Sequence, residues 1–170
     1  IFGAGSGARP QGDGTDAVDL VPYSKNLPAE FIEQRFPVKV EKVGLAMDSG
    51  GPGKYRGGLG YVKEIRPLVD GHYTTVTERT AFASIGIKGG LSGQPGGSIK
   101  NPETETEEHV FFSRDAVPVK ANDLIRLVTP GGGGWGDPLE RDIEAVRLDV
   151  VRKLVSFKSA ERTACDAATI

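Results

Sequence analysis

The stretch TPGGGGWGDP, Thr129–Pro138, sets four consecutive glycines beside the only tryptophan of the chain. Glycine loses more conformational freedom on folding than any other residue, so an ordered run of four needs compensating contacts. Three readings compete: a loop that cradles an anion, a site of close backbone packing, and a flexible linker. A linker is usually rich in serine or charge and carries no tryptophan. Trp135 has enough surface to pin the segment, and Asp137, just before Pro138, is placed to cap the turn that follows. Gly131, Gly132, Gly133, Gly134, Trp135 and Asp137 therefore read as an ordered structural loop. Its glycines are expected to take positive φ or to admit close backbone approach.

Working outward, the apolar run LIRLV (Leu124–Val128) precedes the loop and a helical pattern follows it. Asp142 is a natural N-cap for IEAVRLDVVRKL, in which Ile143, Val146, Val150 and Leu154 recur at helical spacing. Ser156 is placed to cap a second, shorter helix through FKSAERTAC. Upstream, PVKVEKVGLAMD (Pro37–Asp48) alternates as a half-buried strand with a phase change near Val43. LGYVKEIRPL (Leu59–Leu68), HYTTVTERTAFA (His72–Ala83), EEHVFFS and NDLIRLVTP also read as strands, and PAEFIEQRFP as a short helical turn. GIKGGLSGQPGGSIKNPETE reads as a glycine-rich connection. The fold expected is mainly β, an irregular sandwich or barrel-like body with long Gly-rich loops, ending in a C-terminal α-helical tail. Residues 1–28 form an irregular lead-in, 29–138 the β-rich body and 139–170 the tail, all within one domain.

Composition narrows the function. The net charge of −2 gives no polyelectrolyte footprint, which argues against nucleic-acid binding. No apolar run approaches the roughly 18 residues of a membrane span. Cys165 is the single cysteine, which fits a reducing cytoplasm and reads as a terminal free thiol rather than a nucleophile. His72 and His109 lack metal-ligand spacing, so no metal site is expected in this segment. There is no G-x-S-x-G nucleophile elbow.

The cluster DSGGPGKYRGGLG offers the strongest candidate for ligand contact. Ser49, Gly50, Gly51 and Gly53 expose backbone N–H groups beside Lys54 and Arg56, a pattern suited to an anion nest. It does not match the phosphate-binding G-x-x-x-x-G-K-[ST] loop, and a tight turn with close packing remains the competing reading. Asn26, Glu30 and Glu33 are further polar residues placed either to face a substrate cleft or to brace it.

Taken in order, DGTDAVD, the set Asn26, Pro28, Glu30, Glu33 and Pro37, then DSGGPGKYRGGLGYVKEI, GIKGGLSGQPG and TPGGGGWGDPLERDIEAVRLDVVRKLVS resemble the C-terminal part of the hydantoinase B/oxoprolinase family. Members are several hundred residues long, so the resemblance implies that this chain is the last third or so of a longer polypeptide, in keeping with its start at Ile1. It implies ATP-dependent hydrolysis of a cyclic amide of the hydantoin or 5-oxoproline type. Relatives that carboxylate ketones, and a non-catalytic interface role, stay open as alternatives. ATP and Mg2+ would be handled by a hydantoinase A-type partner, with the remainder of the B-type chain, a small-molecule substrate and a hetero-oligomeric assembly completing the picture. A further divalent metal would lie outside this segment. One departure stands out: Lys153 occupies the helix-ending position where the family often has glycine, which puts a glycine-type C-cap in question.

Overall fold

The computed structural model describes residues 3–19, 26–110 and 112–165. The expected lead-in and tail also include 1–2, 20–25 and 166–170, and the run EEHVFFS includes Phe111. These lie outside the described residues.

Among the described residues the chain forms an open antiparallel sheet of five strands and a separate two-stranded sheet. A helix, α1 (Ala29–Arg35), packs beside β1 (Val38–Leu45). Glu33 near the end of α1 accepts the Val40 amide at 2.8 Å, which ties the helix to the sheet edge. β1 pairs with β2 (Tyr61–Pro67), and the register slips between Val40 and Lys42, close to the phase change expected near Val43. A one-residue slip moves side chains to the opposite face, so the broken alternation in sequence is the imprint of this bulge. β2 also pairs with β7 (Ile125–Val128) and is largely buried. Glu64 and Arg126, directly opposite each other, form an ion pair at 2.7 Å.

Two strands escape the sequence pattern. β4 (Gly97–Lys100) lies inside the expected glycine-rich connection, yet pairs with β7 on one side and β5 (Glu108–Val110) on the other. Four residues that include a glycine carry almost no periodic signal; their strand state comes from two flanking partners. β6 (Arg114–Val119) carries charge and Pro118, and belongs to the two-stranded sheet, where an edge tolerates proline. Conversely, β3 (Gly71–Thr75) is shorter than expected: Thr75 pairs with Arg114, where β6 begins, so the β3–β6 pairing does not extend into Val76–Ala83. Tyr73 of β3 and Ser98 of β4 share a hydrogen bond of 3.1 Å that joins the two sheets. The mainly β body with a C-terminal helical tail is therefore as expected, without closure into a barrel.

A single 3₁₀ turn, Pro138–Glu140, leads into the tail, and Asp137 caps it by accepting the Leu139 amide. Asp142 caps α2 (Ile143–Val151) through the Ala145 amide, and Ser156 caps α3 (Phe157–Cys165) through that of Ser159. The inward face of α2 differs from the expected stripe: Ile143 is 79 % exposed and the buried residue is Asp149. α2 also stops before Arg152 and Lys153. Lys153 adopts φ of 58°, with Lys153 N–H bonding to Val150 and Leu154 N–H to Asp149. That is the hydrogen-bond pattern of a glycine-type helix end, built here on lysine.

Candidate functional site

Gly131–Gly134 answer the question raised by their sequence. Among the described residues, positive φ occurs in glycine only at Gly89 and Gly136, so the four are extended, and close approach is what they supply. A Cβ on Gly131 would overlap the carbonyl of Ser49, on Gly132 that of Ser6, on Gly133 that of Ile85, and on Gly134 that of Pro52. Gly131 and Gly134, three residues apart, thus face the same neighbouring segment. A period of three without internal hydrogen bonds is that of the extended left-handed helix. Such a strand presents N–H and C=O groups all round, not only along two edges as in a sheet.

The surrounding segments take up those groups. Gly131 donates to Gln94, Gly132 to Gly58 and Gly134 to Leu91, while Gly132, Gly133 and Gly134 accept from Gly51, Ala8 and Ile87. Residues 5–8, 49–60 and 84–94 therefore wrap the tetraglycine, and each backbone bond would be lost if a side chain kept them apart. At its end Trp135 and Tyr55 exchange backbone hydrogen bonds of 3.0 Å in both directions, their rings 5.9 Å apart.

On this lattice sits a charged network that draws on three separate parts of the chain. Asp13 and Asp16 cap the amides of Arg56 and Leu59, each at 2.8 Å. The Arg56 guanidinium, 7 % exposed, donates to Gly57 O at 2.7 Å and to Asp16 at 3.2 Å, and lies 3.5 Å from Asp149. Arg141 grips both oxygens of Asp13 and reaches Asp149 at 2.8 Å. Three carboxylates thus meet two guanidiniums. The Nε atoms of Arg56 and Arg141 are buried without a hydrogen-bond partner among the described residues. For Asp13, burial works to raise the pKa, and the hydrogen bond and charge of Arg141 with the amide and charge of Arg56 outweigh it, leaving the carboxyl below its ordinary value. Arg141 is pushed up: burial opposes its charge, and Asp13 and Asp149 more than offset that.

A cleft of about 660 Å³ opens between lattice and tail. Its walls are Leu91, Leu139, Ile143, Val146, Val155 and Ala160, and Arg56, Arg141 and Asp149 also line it. Gly50 and Gly53 belong to its wall, and their amides have no acceptor among the described residues. Of the other residues expected to meet an anion, Ser49 is buried and donates its hydroxyl to Ala46 O while accepting the Gly60 amide, and the Gly51 amide bonds to Gly132. Lys54 is paired with Glu140 at 3.0 Å, and that hydrogen bond raises its pKa. Asn26, Glu30 and Glu33 do not line the cleft.

Sequence reasoning did not single out Asp13, Asp16, Arg141 or Asp149 as a unit. The signals available were the i, i+3 pair of aspartates in DGTD and an acidic residue among the valines of α2. Among the described residues no three His, Cys, Asp or Glu side chains are arranged to hold a metal ion. No helix among them is long and apolar enough to cross a membrane.

Known proteins give this arrangement a context. The sequence profile of hydantoinase B/oxoprolinase matches residues 1–138. A protein of a Pseudomonas species, named for the B-type component of a D-/L-hydantoinase, is 34 % identical over 156 residues, covering 91 % of this chain and 26 % of that protein. Among solved structures, the ATP-dependent caprolactamase of Pseudomonas jessenii superposes with a TM-score of 0.73 at 30 % identity, covering 94 % of this chain and 29 % of that one. The nucleotide-free acetone carboxylase structure shares the fold, with a TM-score of 0.67 at 20 % identity over 94 % of this chain and 26 % of that one. The chain thus spans about a quarter of the length of the hydantoinase component and of each structural neighbour.

Proposed function

This chain belongs to the hydantoinase B/oxoprolinase family, and we propose that it is the C-terminal part of a B-type subunit that opens a cyclic amide at the expense of ATP. The observation that carries the reading is the similarity of almost the whole chain, lattice and tail included, to a caprolactamase described as ATP-dependent. In this proposal ATP and Mg2+ belong to an A-type partner in the cytoplasm, and this segment supplies a rigid frame. The frame role is supported by where the cations go: Arg56 and Arg141 spend their charge on Asp13, Asp16 and Asp149.

A second reading of the same loop has its own support. The amides of Gly50 and Gly53, on the cleft wall, are donors left to hold developing negative charge, as the sequence pattern around Ser49–Arg56 anticipates. Co-expressing the full B-type chain with its A-type partner and following ring opening of hydantoin, 5-oxoproline and caprolactam against ATP hydrolysis tests the main proposal. No ATP-coupled ring opening with any of the three, together with carboxylation of a ketone from bicarbonate, would overturn it. Arg56→Ala separates the two loop readings: a frame role lowers assembly and leaves turnover per assembled complex, whereas an anion contact lowers turnover in complexes that assemble.

A further inference from the structure

We infer that the cleft between the glycine lattice and the helical tail seats an apolar segment from the remainder of the same polypeptide. The inference rests on the reading that this chain is part of a longer B-type subunit. Among the described residues seven apolar side chains are buried, whereas nineteen large ones are exposed, an imbalance that calls for covering surface from elsewhere. The cleft gathers part of that surface: Leu91, Leu139 and Ile143 are all exposed and all line it.

The floor argues against a soluble anion as occupant. Arg56 and Arg141 are matched by carboxylates and their Nε atoms are sealed from solvent, while Asp48 and Glu161 add negative charge to the lining. An apolar segment meets the walls without stranding a charge, and its backbone carbonyls can satisfy the Gly50 and Gly53 amides, which have no acceptor among the described residues. In the similar caprolactamase the matched region is 29 % of the chain, so most of that polypeptide lies outside this unit. Residues 5–8 are woven into the lattice and Asp13 binds Arg56 and Arg141 beneath the cleft. A segment continuous with them is tethered at a high effective concentration, which favours it over a separate subunit.

The test uses the full B-type chain freed of native thiols and carrying Ile143→Cys, with Glu105→Cys on an exposed polar turn as reference. We expect maleimide to label Ile143→Cys at least tenfold more slowly than Glu105→Cys in the chain alone, and the A-type partner to leave that rate unchanged. Equal labelling in the chain alone overturns the inference, whether or not the A-type partner then slows it. Should Ile143→Cys disturb folding, hydrogen exchange on the unsubstituted chain decides: the Gly50 and Gly53 amides should be protected at least a hundredfold, and free exchange at both overturns the inference. Ring-opening turnover, measured on the same preparations, fails or holds independently of labelling, so loss of the functional reading is told apart from loss of this one.

Discussion

Arg141 holds both carboxylate oxygens of Asp13, 128 positions earlier in the chain, at 2.7 and 2.8 Å. With Asp149 as its second partner, it fastens the tail to the lead-in across the glycine lattice. Removing one member of a largely buried pair leaves its partner uncompensated. We expect Arg141→Met to destabilise the chain by about 2–4 kcal/mol. The double variant Asp13→Asn/Arg141→Met should recover about 1 kcal/mol of that loss, as a positive coupling energy in urea denaturation. Additive losses would show that the pair is not coupled.

The same bond sets an acid limit. Asp13 has a folded pKa below its ordinary value of 3.8, so its contribution to stability is complete above that value and declines as pH falls toward the folded pKa. Asp123 adds to the same limb: burial works to raise its pKa, and the Lys120 amide, Asn101 and Lys100 lower it. Thermal melts between pH 6 and pH 2 should show Tm falling through the acid range, and Asp13→Asn should flatten the fall. An unchanged slope in that variant would count against the assignment.

Two glycines of identical chemistry should respond oppositely to alanine. In Gly132→Ala the new methyl meets the Ser6 carbonyl, a backbone atom fixed by the lattice, and we expect a loss of at least about 3 kcal/mol or failure to fold. In Gly44→Ala, on β1, nothing lies within 4 Å, and the restricted unfolded chain should raise stability by about 0.4–1 kcal/mol. Soluble yield and chemical denaturation of the two variants provide the comparison.

Lys153 ends α2 in the left-handed region at φ of 58° with both helix-closing hydrogen bonds in place. Replacing it by glycine removes the Cβ strain at the cost of a freer unfolded chain. We expect Lys153→Gly to gain up to about 1 kcal/mol in urea midpoint analysis, and Lys153→Val to lose about as much, because a β-branched residue resists this conformation. A stabilising Lys153→Val would contradict the geometry.

How much of this was legible in the chain follows from the range of each interaction. TPGGGGWGDP announced an ordered loop because tryptophan and four glycines make sense together only where backbones meet closely. Asp142 and Ser156 announced two helix starts, since a cap acts within three residues. The slip near Val43 was readable because a bulge leaves its mark in local alternation. These features are local, and the sequence determined them.

The tertiary structure decided what depends on distant partners. β4 became a strand because β5 and β7 lie on either side of it. That Arg56, cationic among glycines, lies between Asp16, 40 positions before it, and Asp149, far beyond it in sequence, was likewise decided by the fold. Even the tetraglycine's neighbours, Ser6, Ser49, Ile85 and Pro52, were unknowable from its own ten residues. An extended glycine strand has no side chain with which to specify them. Only the fold brings their carbonyls within reach.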